Sequence, residues 1–318
     1  MPFKLVAGTF HVRNYSPDGD SIRFKPNDPG LLTALPGGPP KTNTRGHVQL
    51  RIEGIDTLET HYTPPGGGGT FHQPLNHAMA AVNALLSFTR ISNVVWSADN
   101  KTVVSADDAT PGYILTREVE KYGRPVAFVF AGSTTDLDGS AVVLDAARLR
   151  DSYNFLAVRD GLAYVTYYAG LFADLRDTLT EAVRQARAGR IGIYADDVTT
   201  SGFDVQTLAD ITDTHVILPK MFRRLSEYLS NTGSVIGFKE TLGQAQEPVL
   251  DLRTANFTHF DTFVDQAIGA TRISLTRLPE ELVFGPMKER VGSPFSQVLA
   301  QRAWEIAGGP SPAELAMS

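Results

Sequence analysis

The segment Arg51-Ile52-Glu53-Gly54-Ile55-Asp56-Thr57-Leu58-Glu59-Thr60 constrains this chain more than any other. Up to Ile55 its residues alternate between two faces, the period of a β-strand. Beyond that the alternation stops, so Asp56, Thr57 and Glu59 fall where a strand ends. A guanidinium and two carboxylates at one strand end exceed what a turn needs. They suit a place that holds a cation and handles a phosphate. Asp18-Gly19-Asp20 upstream and Lys121-Tyr122-Gly123-Arg124 downstream add groups of the same kind. Taken singly, each tripeptide or tetrapeptide reads as a turn with solvated charge, and Asp56-Thr57 as an Asx turn or helix cap. Their combination points to metal-assisted phosphodiester chemistry.

The surrounding pattern predicts strands over Val6–Val12, Ser21–Lys25, His47–Ile55, Val94–Trp96 and Pro125–Phe130. Asp18-Gly19-Asp20 supplies a hairpin turn between the first two. Residues 26–46, rich in Pro, Gly and Thr, read as a long loop, residues 61–70 as a mobile glycine-rich loop, and residues 97–118 as a long acidic loop. Leu75, Met79, Val82, Leu85 and Leu86 recur at helical spacing, with Pro74 at the first turn. Further helices are predicted over Asp145–Arg159, Phe172–Arg187 and Val216–Leu229, the last with a basic start, and short strands over Pro248–Phe284. The character changes near Thr199-Thr200-Ser201-Gly202, which divides the chain into residues 1–197 and 198–318. Trp96 and Trp304 read as packing residues, and Gly308-Gly309-Pro310-Ser311-Pro312 as a frayed end. Strands interleaved with helices fit a small β-barrel capped by helices, in the α+β class.

With 318 residues, a hydrophobic content of 42% and a charged content of 20%, the chain has ordinary globular composition. It contains no cysteine, which excludes disulfides, zinc–thiolate sites and a cysteine nucleophile. Met1–Val6 runs into a polar strand with no signal-peptide core, and no stretch is long enough to span a membrane, so the expectation is a cytoplasmic protein. A chain trimmed of a leader would read the same. A net charge of −6 argues against coating nucleic acid by bulk electrostatics, but a local basic groove with a bound cation can still hold it.

In family order, the motifs Asp18-Gly19-Asp20-Ser21, Arg51 to Glu59, Lys121-Tyr122-Gly123-Arg124, Val158 to Val165 and Ala186 to Tyr194 resemble the staphylococcal-nuclease-like (thermonuclease) family over about residues 4–196. The resemblance implies an OB-fold, a five-stranded barrel capped by three helices, that binds Ca²⁺. Asp20 and Asp56 would give carboxylate oxygens and Thr57 its backbone carbonyl, the hard ligands Ca²⁺ takes. Glu59 would be the general base, and Arg51 and Arg124 would clamp the phosphate. Lys121 and Tyr122 would meet a terminal phosphate, and Tyr167 would lie beside a base or sugar of single-stranded DNA or RNA. Strand packing is the competing reading of Tyr167 and Tyr168. The implied reaction is hydrolysis at the 5′-oxygen, leaving 3′-phosphates, with weak sequence preference. Leu58 departs from the family, which usually has Pro there.

Other features have plainer readings. His61, His72 and His77 are read as solvated or capping histidines, because the five-residue spacing of His72 and His77 does not place both on one helix face; His61, close after the site, has contact with substrate as its alternative. Phe222-Arg223-Arg224-Leu225 reads as a solvated helix face or a contact with the first domain, with nucleic-acid contact as the lesser alternative. Residues 198–318 form a smaller α+β accessory domain, a candidate for self-association or a protein contact. The rival to a nuclease is a non-catalytic OB-fold module that binds nucleic acid or a protein.

Overall fold

A barrel-like sheet forms because one strand segment supplies both of its edges. The computed structural model describes residues 2–285; Trp304 and the end at residues 308–312 lie outside the described residues. Strand β1 (Phe3–His11) pairs antiparallel with β2 (Arg23–Pro26), and β2 pairs with β3 (Val48–Gln49). One residue later β4 (Arg51–Ile52) has changed partner. The chain next adds β5 (Ile55–Asp56), helix α1 having formed a single turn at Gly30–Thr33 before β3. Helix α2 (Leu75–Phe88) follows, then the hairpin β6 (Ser92–Trp96) and β7 (Val103–Asp107). Strands β8 (Thr110–Val119) and β9 (Pro125–Ala131) complete the sheet, in the order β3-β2-β1-β8-β9-β4. Because β3 and β4 flank the single residue Leu50, the two ends of this path meet in the chain, and the sheet nearly closes. The protein is thus a mixed α and β structure with a barrel-like sheet.

The short pair β10 (Ala141–Val142) extends β1 at its start. Helix α4 (Tyr153–Arg159) packs on β9, and α3 (Ala146–Arg150) and α5 (Ala173–Ala188) pack on α4, with β11 (Tyr164–Val165) and β12 (Tyr167–Tyr168) between α4 and α5 in the chain. Where one helix was expected over Asp145–Arg159 there are two, each with its own cap. The Asp145 carboxylate accepts from the Arg148 N–H, and the Ser152 hydroxyl accepts from the Phe155 N–H. The acidic loop expected over 97–118 contains β7 and most of β8 instead. Its polar residues are interspersed with Val103, Ala106, Ile114 and Leu115, which are buried. Leu58 is fully buried, so it serves the core in place of a rigid loop proline.

After residue 198 come β13 (Phe203–Asp204), α6 (Pro219–Thr232), α7 (Phe238–Ala245), β14 (Pro248–Asp251), β15 (Asn256–His259), β16 (Val264–Asp265), β17 (Arg272–Leu275) and β18 (Leu282–Phe284). One apolar core runs through both parts of the chain, from Leu5 and Phe128 to Phe222 and Phe284. Strand β18 pairs in parallel with β12, and the Arg187 guanidinium forks onto the buried Glu280 carboxylate. Among the described residues no helix is long and apolar enough to cross a membrane.

Candidate functional site

Two glycines bring the acidic motifs together. Gly54 takes φ +77°, a left-handed conformation open to glycine at low cost, and turns the chain from β4 into β5. Strand β5 then pairs with β11, with Asp56 opposite Tyr164. In the second motif, a Cβ on Gly19 would sit 2.6 Å from the Ala81 Cβ and 2.8 Å from the Thr57 Oγ1. Only glycine lets the Asp18–Asp20 turn lie this close to helix α2 and Thr57. Helix α4 clamps both turns. The buried Tyr153 hydroxyl lies 2.8 Å from the Gly19 carbonyl and 3.1 Å from that of Ala81. The buried Asn154 amide donates to the Glu53 carbonyl at 2.7 Å, and its oxygen accepts from the Val129 N–H at 3.0 Å.

The result is a crowd of carboxylates. Burial, then Asp56 and Glu59, push Asp20 up to about 7. Burial, then Glu59 and Asp20, push Asp18 well above the usual carboxylate range, and the Asp18 and Glu59 carboxyls share a hydrogen bond. Burial also raises Glu59, against the pull of Arg223. Desolvation and like charge act in the same direction here, each disfavouring the ionised form.

The expected cations are close by. Arg51 lies over the Tyr168 ring at 4.3 Å. Burial opposes its charge, but Tyr168, Glu53 and Asp56 outweigh that and hold the guanidinium above its ordinary value. Arg124 donates its Nε–H to Glu120 at 3.1 Å and acts electrostatically on Asp20. Lys121 and Tyr122 are exposed beside it, the ammonium 4.9 Å from the Tyr122 ring centroid. Asp20, Arg51, Asp56, Thr57, Glu59 and Arg124 therefore gather from three separate stretches of chain. Tyr167 does not join them. It is fully buried, and its hydroxyl is bound to the Thr180 hydroxyl at 2.9 Å and the Arg176 carbonyl at 3.1 Å, so it is a core residue that cannot touch a base or sugar. Its neighbour Tyr168, on the opposite face of β12, is the aromatic at the cluster. The histidines are dispersed: His61 meets the Thr60 hydroxyl, His72 the Gln73 carbonyl, and His77 the Asp196 carboxylate.

Two residues of the cluster lie in motifs read from sequence but were given no site role there. Asp18 is one. The other is Arg223 on helix α6, which donates through Nη1 to Asp56 Oδ1 at 3.0 Å and to Glu59 Oε1, and through Nη2 to Asp56 Oδ2 at 2.8 Å. A signal for it exists: Lys220, Arg223 and Arg224 recur at i, i+3 and i+4 and so share a helix face. Gln73, fully buried, connects the two regions. Its N–H donates to the Glu59 carbonyl, its oxygen accepts from the Glu59 N–H, and its amide donates to the Ile217 carbonyl just before α6.

In kind, this donor set fits a hard divalent cation. Desolvated carboxylates repel one another, and the Thr57 Oγ1 is buried without a hydrogen-bond partner. As seated, the Arg223 fork covers both Asp56 oxygens, so a cation reaches them only where Arg223 moves aside. Among the described residues no group of three or more His, Cys, Asp or Glu has the spacing to hold a metal. No protein-family model matches this chain, and comparison with curated proteins finds no match.

Proposed function

We propose that this protein is a Ca²⁺-dependent nuclease that hydrolyses DNA or RNA phosphodiesters on an OB-type barrel. The observation that carries the reading is the convergence of Arg51, Glu59 and Arg124 on a buried carboxylate cluster containing Asp20 and Asp56. The strand circuit supports it too: β3 and β4 count as one bent strand, which leaves five strands around the barrel.

In this reading Arg51 and Arg124 hold the scissile phosphate and neutralise the charge that grows in the transition state. Glu59 takes a proton from water; its burial makes it a stronger base than a surface carboxylate. The water oxygen bonds to phosphorus, the bond to the 5′-oxygen breaks, and the leaving oxygen is protonated from solvent. A 3′-phosphate remains. Ca²⁺, when bound by Asp20, Asp56 and the Thr57 carbonyl, would polarise the phosphoryl oxygen as a Lewis acid. Exposed Lys121 and Tyr122 suit a flanking phosphate of a single strand.

The test is cleavage of single-stranded DNA with Ca²⁺ and with chelator, alongside Glu59→Ala. Cleavage that requires both Ca²⁺ and Glu59 is expected. Absence of cleavage by folded protein in Ca²⁺ would favour the second reading, a non-catalytic binding module. One observation speaks for that module: Arg223 already engages Asp56 and Glu59.

A further inference from the structure

Arg223 engages the groups that the proposed chemistry needs free. Its two terminal nitrogens face both oxygens of Asp56, the proposed cation ligand, and one oxygen of Glu59, the proposed base. This is the paired geometry in which a guanidinium binds a carboxylate best. A single delocalised positive charge thus stands against the carboxylates that a divalent cation would meet.

The contact belongs to a built element. Lys220 and Arg224, on the same helix face, both bind the buried Glu247 carboxylate, and the Lys220 ammonium lies 4.1 Å from the Phe284 ring centroid. Gln73 ties the backbone of Glu59 to the chain entering α6. The glycine-rich loop is held at its base by paired Tyr62 and Phe71 backbones and runs along α6, with Gly68 against Ser230 and Tyr62 beside Phe222. Helix and loop therefore approach the cluster from the same side.

We propose that helix α6 is an autoinhibitory plug whose Arg223 occupies the cation position at Asp56 and Glu59, so that Ca²⁺ and Arg223 compete for the same oxygens. The inference rests on the nuclease reading. Ca²⁺ entry releases Arg223 and loosens α6, and the enzyme works in that released state. Because coupling is reciprocal, removal of Arg223 strengthens Ca²⁺ binding.

Calorimetric titration of Ca²⁺ into the full chain and into Arg223→Gln tests this directly. The variant is expected to bind Ca²⁺ about tenfold more tightly or better. Arg223→Lys, which keeps the charge but loses the fork, should fall between them and serves if the glutamine variant does not fold. In the unmodified protein, amide hydrogen exchange over residues 219–232 should accelerate when Ca²⁺ is added. Equal Ca²⁺ affinity in all three proteins, or unchanged exchange at saturating Ca²⁺, overturns the plug. If the unmodified protein still cleaves DNA in a Glu59-dependent way, the nuclease reading survives that result. If no form of the protein binds Ca²⁺, the plug falls, and loss of Glu59-dependent cleavage then removes the nuclease reading with it.

Discussion

Helix α6 serves two ionic clusters that differ in balance. At one, Lys220 and Arg224 share Glu247; burial would raise that carboxylate, but the two cations outweigh it and hold it below its usual range. At the other, Arg223 meets Asp56 and Glu59 with Asp18 and Asp20 alongside, and burial plus repulsion push Asp18, Asp20 and Glu59 upward. The first cluster has its charges satisfied and behaves as a structural joint. The second crowds carboxyls whose ionised forms are disfavoured in a desolvated place, the condition in which a site attracts a cation or moves a proton. Perturbation in the direction of strain, more than burial as such, separates a candidate site from a joint on the same helix.

Substitutions should separate the two clusters clearly. The largest effect is expected on chemistry: Glu59→Ala should cut Ca²⁺-dependent cleavage by about 10²–10⁴-fold while the melting temperature changes little or rises, since it removes a carboxylate from a crowded cluster. A matching loss of cleavage in Glu247→Ala without a loss of stability would erase the distinction. That second variant should instead lose stability, by about 3–5 kcal/mol, because it leaves the Lys220 ammonium buried without its partner. Urea denaturation measures it.

A smaller effect is expected at the link between the two regions. Gln73→Ala leaves the buried Ile217 carbonyl and Glu59 N–H short of partners and should cost about 1–3 kcal/mol. Hydrogen exchange near Glu59 and at the start of α6 should rise together in that variant; a rise at only one of them would mean that Gln73 does not couple the two.

The smallest effect is a pH dependence of opposite sign on the two sides. Glu53 lies behind Arg51, and burial pushes it up to about 7. Its folded form holds a proton that the unfolded chain has released, so stability falls as pH rises from about 4.5 to 7. Glu247 is shifted downward, so its contribution is present above the ordinary glutamate value and is lost as pH falls through the folded one. Glu53→Gln should reduce the fall in stability between about pH 4.5 and 7, to which Asp20 also contributes, and Glu247→Gln should reduce the loss on the acid limb. Unchanged profiles in both variants would refute these assignments.

The acidic and basic motifs were legible because their geometry is local. Arg51 to Glu59 turns at Gly54, whose positive φ is a local demand, and Pro74 heads helix α2 as its position suggests, whereas Gly19 is required by distant Ala81 and Thr57. Strand β8 was not legible, because Thr110-Pro111-Gly112 and Arg117-Glu118 mask its alternation, and partners on both sides decide it. Tyr167 and Tyr168 are adjacent, so one must face each side of β12. Which one faces the core depends on the parallel partner Val283-Phe284, more than a hundred residues away.

Strand period, turn chemistry and helix faces follow from interactions within a few residues, and they carried the barrel and the residues of the candidate site. The seating of Arg223 between Asp56 and Glu59, 167 and 164 residues distant, follows from how α6 packs on the barrel through Gln73, Glu247 and a shared apolar core. A guanidinium on an amphipathic helix fits solvent or a carboxylate equally well until packing removes the water and presents the partner.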